Sequence, residues 1–291
     1  MQFLRQRTQF DFFSKPTLIL LLLGLTLTAG LIFQLRHRRS TTDIQHWQNL
    51  TQARTRSGLS LYFACYFLLA ANSYIVPILV QQALGFDVPS TGLLLSVSFF
   101  SGIVFATVYA QLQLRYQTAP LRLGMTTGCM MLAAYGFFMS RQSGVSNFWQ
   151  IASILVLNGG FLSAFIISVA QGTFKDIEPD SFTHAYQIKN VVRQIALSSA
   201  ISIRVLFLQE RNALHYARLT EAFDQDNPNF NAAVNQLHQN LPLLNQSELL
   251  ATLVRQLSQQ TTLLSCLDYF QGVFWVGLAL ATWVMIQRKI Q

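Results

Sequence analysis

Apolar residues in this chain come in long blocks rather than in alternation. Seven blocks reach the ~20 mostly apolar residues that a membrane-crossing helix needs: 16–35, 58–80, 91–113, 120–139, 149–171, 187–207 and 264–286. Hydrocarbon offers backbone N–H and C=O groups no water partners, so each block is read as a helix. Small residues recur inside them (Ser101-Gly102, Gly124, Gly128, Asn158-Gly159-Gly160, Ser198-Ser199) and suit close helix packing. The expected fold class is all-α, a polytopic membrane protein of about seven transmembrane helices. The sixth block is the least regular. It opens with "KNVVRQIALSSAIS" (189–202), which puts Lys189, Asn190, Arg193 and Gln194 in its first turns.

A long segment, 208–263, separates the last two blocks. Within it "LLNQSELLATLVRQLSQQTTLL" repeats apolar residues at helical spacing and predicts helix. "DQDNPNF" (224–230) is a turn-rich break. The segment is expected outside the membrane, as a solvated cap or as a docking surface for a partner protein.

Charge sharpens this picture. Only 11% of residues are charged, against about 25% in an ordinary soluble domain. The net charge of +8 sits in loops, with no basic run beside exposed aromatics, so nucleic acid is not an expected partner. Arg36, Arg38, Arg39, Arg54, Arg56, Arg115, Arg122, Lys175, Arg288 and Lys289 fall on one side of the predicted topology. The opposite loops, 81–90 and 140–148, hold Arg141 alone. Basic loops stay in the cytoplasm, which places 36–57, 114–119, 172–186 and the C-terminus there. The stub "MQFLRQRTQFDFFSKP" carries Arg5, Arg7 and Lys15 yet falls outside in this topology, a conflict. The block 16–35 is too long for a signal-peptide core and runs into "RHRR", so it is expected to span rather than to be cleaved.

Chemistry within the blocks is sparse. None of the twelve Asp and Glu residues falls inside an apolar block; Asp268 stands at the edge of the last. Proton relays use intramembrane carboxylates, so a proton-carrying acid is expected elsewhere. No phosphate loop, HExxH or Ser/His/Asp order is present, and the cysteines (Cys65, Cys129, Cys266) form no CxxC or Cys/His cluster. An enzyme, a metal site, a cofactor and a disulfide framework are therefore not expected. Asn72 and Asn158 either bond across a helix interface or line a cavity. Lys189 and Arg204 are expected to snorkel at helix ends. Arg193 lies about 9 Å into its helix, on a face shared with Gln187, Asn190, Gln194 and Leu197. That face is expected to be buried in protein or water, where Arg193 either caps neighbouring carbonyls or takes part in gating or coupling.

Three stretches in order carry a resemblance. "KNVVRQIALSSAISI" resembles the "N-x-x-RQ-x-G-x-S-x-G" signature of the penultimate helix in the fourteen-span drug:proton antiporters of the major facilitator superfamily. "FDFFSKPTLIL" resembles the D-W-F-x-S-P stretch that opens their eighth helix. "IVPILVQQALGFDVPSTGLLL" resembles their "LP-x-Y-x-Q-x-x-LG-x-x-x-x-x-AGL-x-x-x-P" segment. The likeness covers nearly all of 10–291. It departs at Ala196 and Ser199, which replace glycines, at "SVSFFSG", which replaces an expected proline, and at "QLQLRYQTAPLR", a degraded Gly-Asp/Arg-rich turn.

The resemblance implies that 1–57 is a stub, one extra helix and a cytoplasmic linker. It implies that 58–291 is the C-terminal six-helix half of a transporter. Helices one to seven, with the family's coupling carboxylate, would lie outside this chain. The basic stub would then be an internal loop of the family. The implied activity is multidrug efflux by proton antiport across the bacterial inner membrane. Small apolar or cationic compounds and protons would be the cargo, with a missing N-terminal half or a periplasmic adaptor as protein partners. Asn72, Ser101 and Asn158 would line the substrate cavity; Asn190, Arg193 and Gln194 would serve gating or coupling. The competing reading is a truncated, non-transporting membrane protein or scaffold.

Overall fold

A computed structural model describes residues 53–115, 121–175, 177, 179–221 and 246–287. The expected span 16–35, the stub and the break at 224–230 lie outside the described residues. From Ala53 onward the chain forms one unit, and its described part is six helices: α1 (Ala53–Ile78), α2 (Val88–Arg115), α3 (Leu121–Met139), α4 (Phe148–Phe174), α5 (Pro179–Glu221) and α6 (Gln246–Ile286). No strand occurs among the described residues. The protein is an all-α polytopic membrane protein. All of these helices but α3 are long and apolar enough to cross a membrane. The exception has nineteen residues, among them Arg122, three glycines and two threonines. It compensates by packing against α4 and α6, so less of its surface has to match lipid.

Helix α4 is the hub. Over its most apolar stretch 61% of residues are buried, and it touches α1, α2 and α3. Helix α6 packs on α3 and α5, and α5 packs on α1, closing a ring around the core. Helix α2 is attached mainly through α4 and is only 11% buried; α5 is 22% buried. Their outer faces carry Phe100, Val104, Val108, Val191, Ile195 and Ile201. Such faces suit hydrocarbon, or a second helical surface, rather than water.

Small residues set the α2–α4 spacing. A Cβ on Gly159 would stand 2.3 Å from the Ser98 carbonyl and 2.7 Å from the Gly102 nitrogen. No side chain fits there, so the two backbones touch. Toward the other end of the pair, Tyr109 and Ser168 share a hydrogen bond of 2.5 Å, Gln113 donates to Tyr109 Oη (3.0 Å) and Gln171 donates to Gln113 (2.5 Å). Helix α1 ends irregularly. Pro77 sits inside it and removes one backbone donor. The next residues, Leu79–Ala83, form a wide helical turn. Gly85, at φ 75°, then turns the chain toward α2.

The helix expected in 243–264 is present from Gln246, but it does not stand apart from the last apolar block. Both ends of 208–263 continue helices: α5 runs on to Glu221 and α6 begins at Gln246. With 43 and 41 residues they are roughly 60–65 Å long at ~1.5 Å per residue, about twice a bilayer core of ~30 Å. A hydropathy block ends where polar residues appear, but a helix need not. Two consequences follow. Arg204 does not sit at a helix end and does not snorkel; it is buried, at 5% exposure. Asp268, expected at the edge of a block, lies inside a continuous helix and within its membrane-length apolar stretch. It accepts from His215 Nε2 at 2.8 Å, with Arg211 at 3.8 Å.

Candidate functional site

Four side chains from four helices form one directed chain of hydrogen bonds. Tyr269 Oη (α6) donates to Asn72 Oδ1 (α1) at 2.5 Å. Asn72 Nδ2 donates to Asn158 Oδ1 (α4) at 2.9 Å. Asn158 Nδ2 donates to Ser98 Oγ (α2) at 3.1 Å. Helical spacing brings each group inward: Asn72 follows buried Leu68 and precedes buried Ile75 and Val76, all within one turn. Every amide hydrogen used here meets an oxygen, which is how polar groups persist in an apolar interior.

The α5 end of this chain is a cation. Arg204 places its guanidinium 3.9 Å from the Tyr269 ring centroid and 5.5 Å from that of Phe67. Cations over ring faces are attracted by the ring quadrupole, most strongly where water is scarce. Arg204, Tyr269 and Ser98 therefore join a site whose sequence signal was limited to two asparagines. Nothing around Tyr269 in "CLDYFQG" distinguishes a hydrogen-bonding tyrosine from a packing one.

The asparagines open onto a cavity of about 260 Å³ between α1, α2 and α4. Asn72, Ser98, Asn158 and Ser163 supply its polar wall, and Val76, Phe99, Ile103 and Leu162 are among its apolar lining. Asn72 and Asn158 thus make an inter-helix bond and line a cavity at the same time; the two alternatives are not exclusive. Ser101 is placed differently. It is not part of this lining, and its hydroxyl donates to the Ser98 carbonyl at 2.9 Å and to the Val156 carbonyl at 3.4 Å. An isolated hydroxyl on a helix readily bonds the preceding turn, which takes Ser101 out of the cavity.

The gating candidates lie apart from this chain, near the start of α5. Arg193 and Gln194 are exposed on this bundle and Asn190 is half-buried. The face they share is therefore not covered by the described residues, contrary to the expected burial. Arg193 reaches Tyr66, its guanidinium 5.3 Å from the ring centroid. Lys189, expected to snorkel, is the buried one, at 8% exposure. Its ammonium sits 3.6 Å from the Tyr186 ring centroid, with Tyr62 at 6.0 Å. Ala185, Lys189, Ala196 and Ala200 form the stripe packed inward; Arg193 shares that face with Lys189, one turn on, yet is left exposed. No group of three or more His, Cys, Asp or Glu suited to a metal occurs among the described residues.

Part of the sequence has relatives among known proteins. The chain is similar to the multidrug export protein EmrB of Escherichia coli K12, 26% identical over 155 residues. The relationship is distant. The aligned stretch is 52% of this chain and 29% of that protein, and the same figures hold for EmrB of E. coli O157:H7. The chain thus spans less than a third of the length of these relatives. No protein-family model matches it.

Proposed function

We propose that this chain is a transporter component of the major facilitator type, forming one half of a proton-coupled multidrug exporter. The single observation that carries the reading is the cavity walled by Asn72, Ser98 and Asn158 in a membrane bundle similar to part of a multidrug export protein. A mainly apolar lining with a few convergent polar groups suits small apolar or cationic compounds. Transporters of this build hold cargo between two halves near the midplane and rock one against the other. The uncovered faces of α2 and α5, with Arg193 and Gln194 among apolar residues, suit contact with such a second half better than contact with lipid. In this reading Asn190, Arg193 and Gln194 serve gating or coupling at the cytoplasmic end, the long ends of α5 and α6 project on the other side and meet an adaptor protein, and the membrane is the bacterial inner membrane.

The competing reading is a non-transporting scaffold. Changing Arg193 separates the two. In a two-half transporter reconstituted with this chain, Arg193→Ala lowers efflux while leaving the amount of protein unchanged. Equal efflux at equal expression removes Arg193 from gating, and no efflux from the unaltered assembly favours the scaffold.

A further inference from the structure

A second, separate recess lies on the opposite side of α1, between α1, α5 and α6. It has a volume of about 380 Å³ and is walled by Phe63, Phe67, Ile203, Phe207, Gly272 and Val276, with Arg204 and Tyr269 among the residues lining it. All of these but Arg204 and Tyr269 are apolar. Its one charge is therefore the Arg204 guanidinium, which is permanently protonated.

That charge is incompletely answered. Arg204 is 5% exposed, and its Nη1 has no hydrogen-bond acceptor. The one acid close in sequence to its ring partner, Asp268, is held about two to three turns further along α5 by Arg211 and His215. Aromatic faces at 3.9 and 5.5 Å soften the burial of a cation and Tyr269 gives the guanidinium one side-chain hydrogen bond, but Nη1 is left without an oxygen. A buried cation without a counter-charge is expensive, and a guanidinium fork matches carboxylate or phosphate oxygens in particular.

We infer that this recess binds an amphiphile with an anionic head, its apolar body along Phe63, Phe207 and Val276 and its head on Arg204. A free organic acid and an anionic lipid share that chemistry. Through Tyr269, which stacks on Arg204 and bonds Asn72, an occupant would also bear on the cavity beyond α1. The inference does not depend on the transport reading, since it concerns binding to the purified chain.

The test measures laurate binding to the full chain in a neutral detergent, beside dodecyltrimethylammonium and dodecanol, which keep the tail and change the head. Laurate is expected to bind about tenfold or more tightly than either, since charge-assisted bonds to the fork are lost in both. Arg204→Gln is expected to remove that preference. Gly272→Leu is a second variant that leaves Arg204 in place: a Cβ there meets nothing within 4 Å, so the side chain enters the recess without disturbing a helix contact. It is expected to weaken laurate by a similar factor with no loss of melting temperature. Nanodiscs of phosphatidylglycerol and of phosphatidylcholine distinguish the sources. Weaker laurate binding in the former, dependent on Arg204, identifies a lipid phosphate as the resident, and equal binding identifies a free amphiphile. Equal affinity for the three probes, or laurate binding untouched by both substitutions, overturns the inference.

Discussion

Tyr269 Oη bonds Asn72 Oδ1 at 2.5 Å across 197 residues of sequence, and the same tyrosine ring carries Arg204 on its face at 3.9 Å. One side chain thus ties the cavity of α1, α2 and α4 to the charged recess beside α5. Removing either partner leaves the other without its bond in a dry interior. A double-mutant cycle over Asn72→Ala and Tyr269→Phe reads the link. Each single change is expected to destabilise the bundle by about 1–3 kcal/mol, with a coupling of roughly 0.5–2 kcal/mol between them. Additive effects in reversible unfolding from detergent would show that the bond carries no energy.

The contact of α2 with α4 rests on Gly159. Gly159→Ala places a methyl against the backbone of Ser98 and Gly102, forces the helices apart, and strains the Asn158–Ser98 bond one residue away. Overpacking of this kind costs about 1–3 kcal/mol. Gly92, also on α2, meets nothing within 4 Å, so Gly92→Ala is expected to be neutral or to stabilise by about 0.5–1 kcal/mol. Melting temperatures of the two variants in one detergent check the contrast; equal losses would place the constraint elsewhere.

Helices α5 and α6 are also held together by His215 and Asp268 at 2.8 Å. Asp268→Asn keeps the shape and removes the charge that Arg211 and His215 both face. The ends of the two helices are expected to loosen, seen as faster amide exchange over 208–221 and 251–263 with exchange at Asn158 unchanged. Exchange that rises equally throughout would mean that the pair supports the whole bundle rather than its projecting ends.

The membrane character, the helical class and the positions of α1, α2, α3 and α4 were legible in the apolar blocks, because a span has to be long and apolar to satisfy its backbone in lipid. The helix in 243–264 was legible in its periodicity, but its continuity with the last block and the extension of α5 were not. Hydropathy reports where a helix meets lipid, and says nothing of where its hydrogen bonds stop. That is why Arg204 read as a helix end and Asp268 as a border residue. Asn72 and Asn158 were legible as interior polar groups, since an amide in an apolar block has few uses. Tyr269 and Ser98 were not, because tyrosine and serine sit in spans for ordinary packing reasons. The exchange of Lys189 for Arg193 as the buried cation was not legible either: four residues separate them, so they share a helix face and periodicity alone could not choose.

The central claim concerns the cavity at Asn158, and export of a lipophilic cation tests it most directly. Inside-out vesicles are prepared from cells lacking their own exporters and carrying this gene with its flanking sequence. A pH gradient is imposed and accumulation of the cation is followed. The account predicts accumulation that collapses when the gradient is abolished. It predicts a fall of about tenfold or more with Asn158→Leu at equal protein, as expected for losing a buried polar contact worth ~1.4 kcal/mol or more. Accumulation no greater than in vesicles without the gene, or gradient-driven accumulation indifferent to Asn158→Leu, would contradict it.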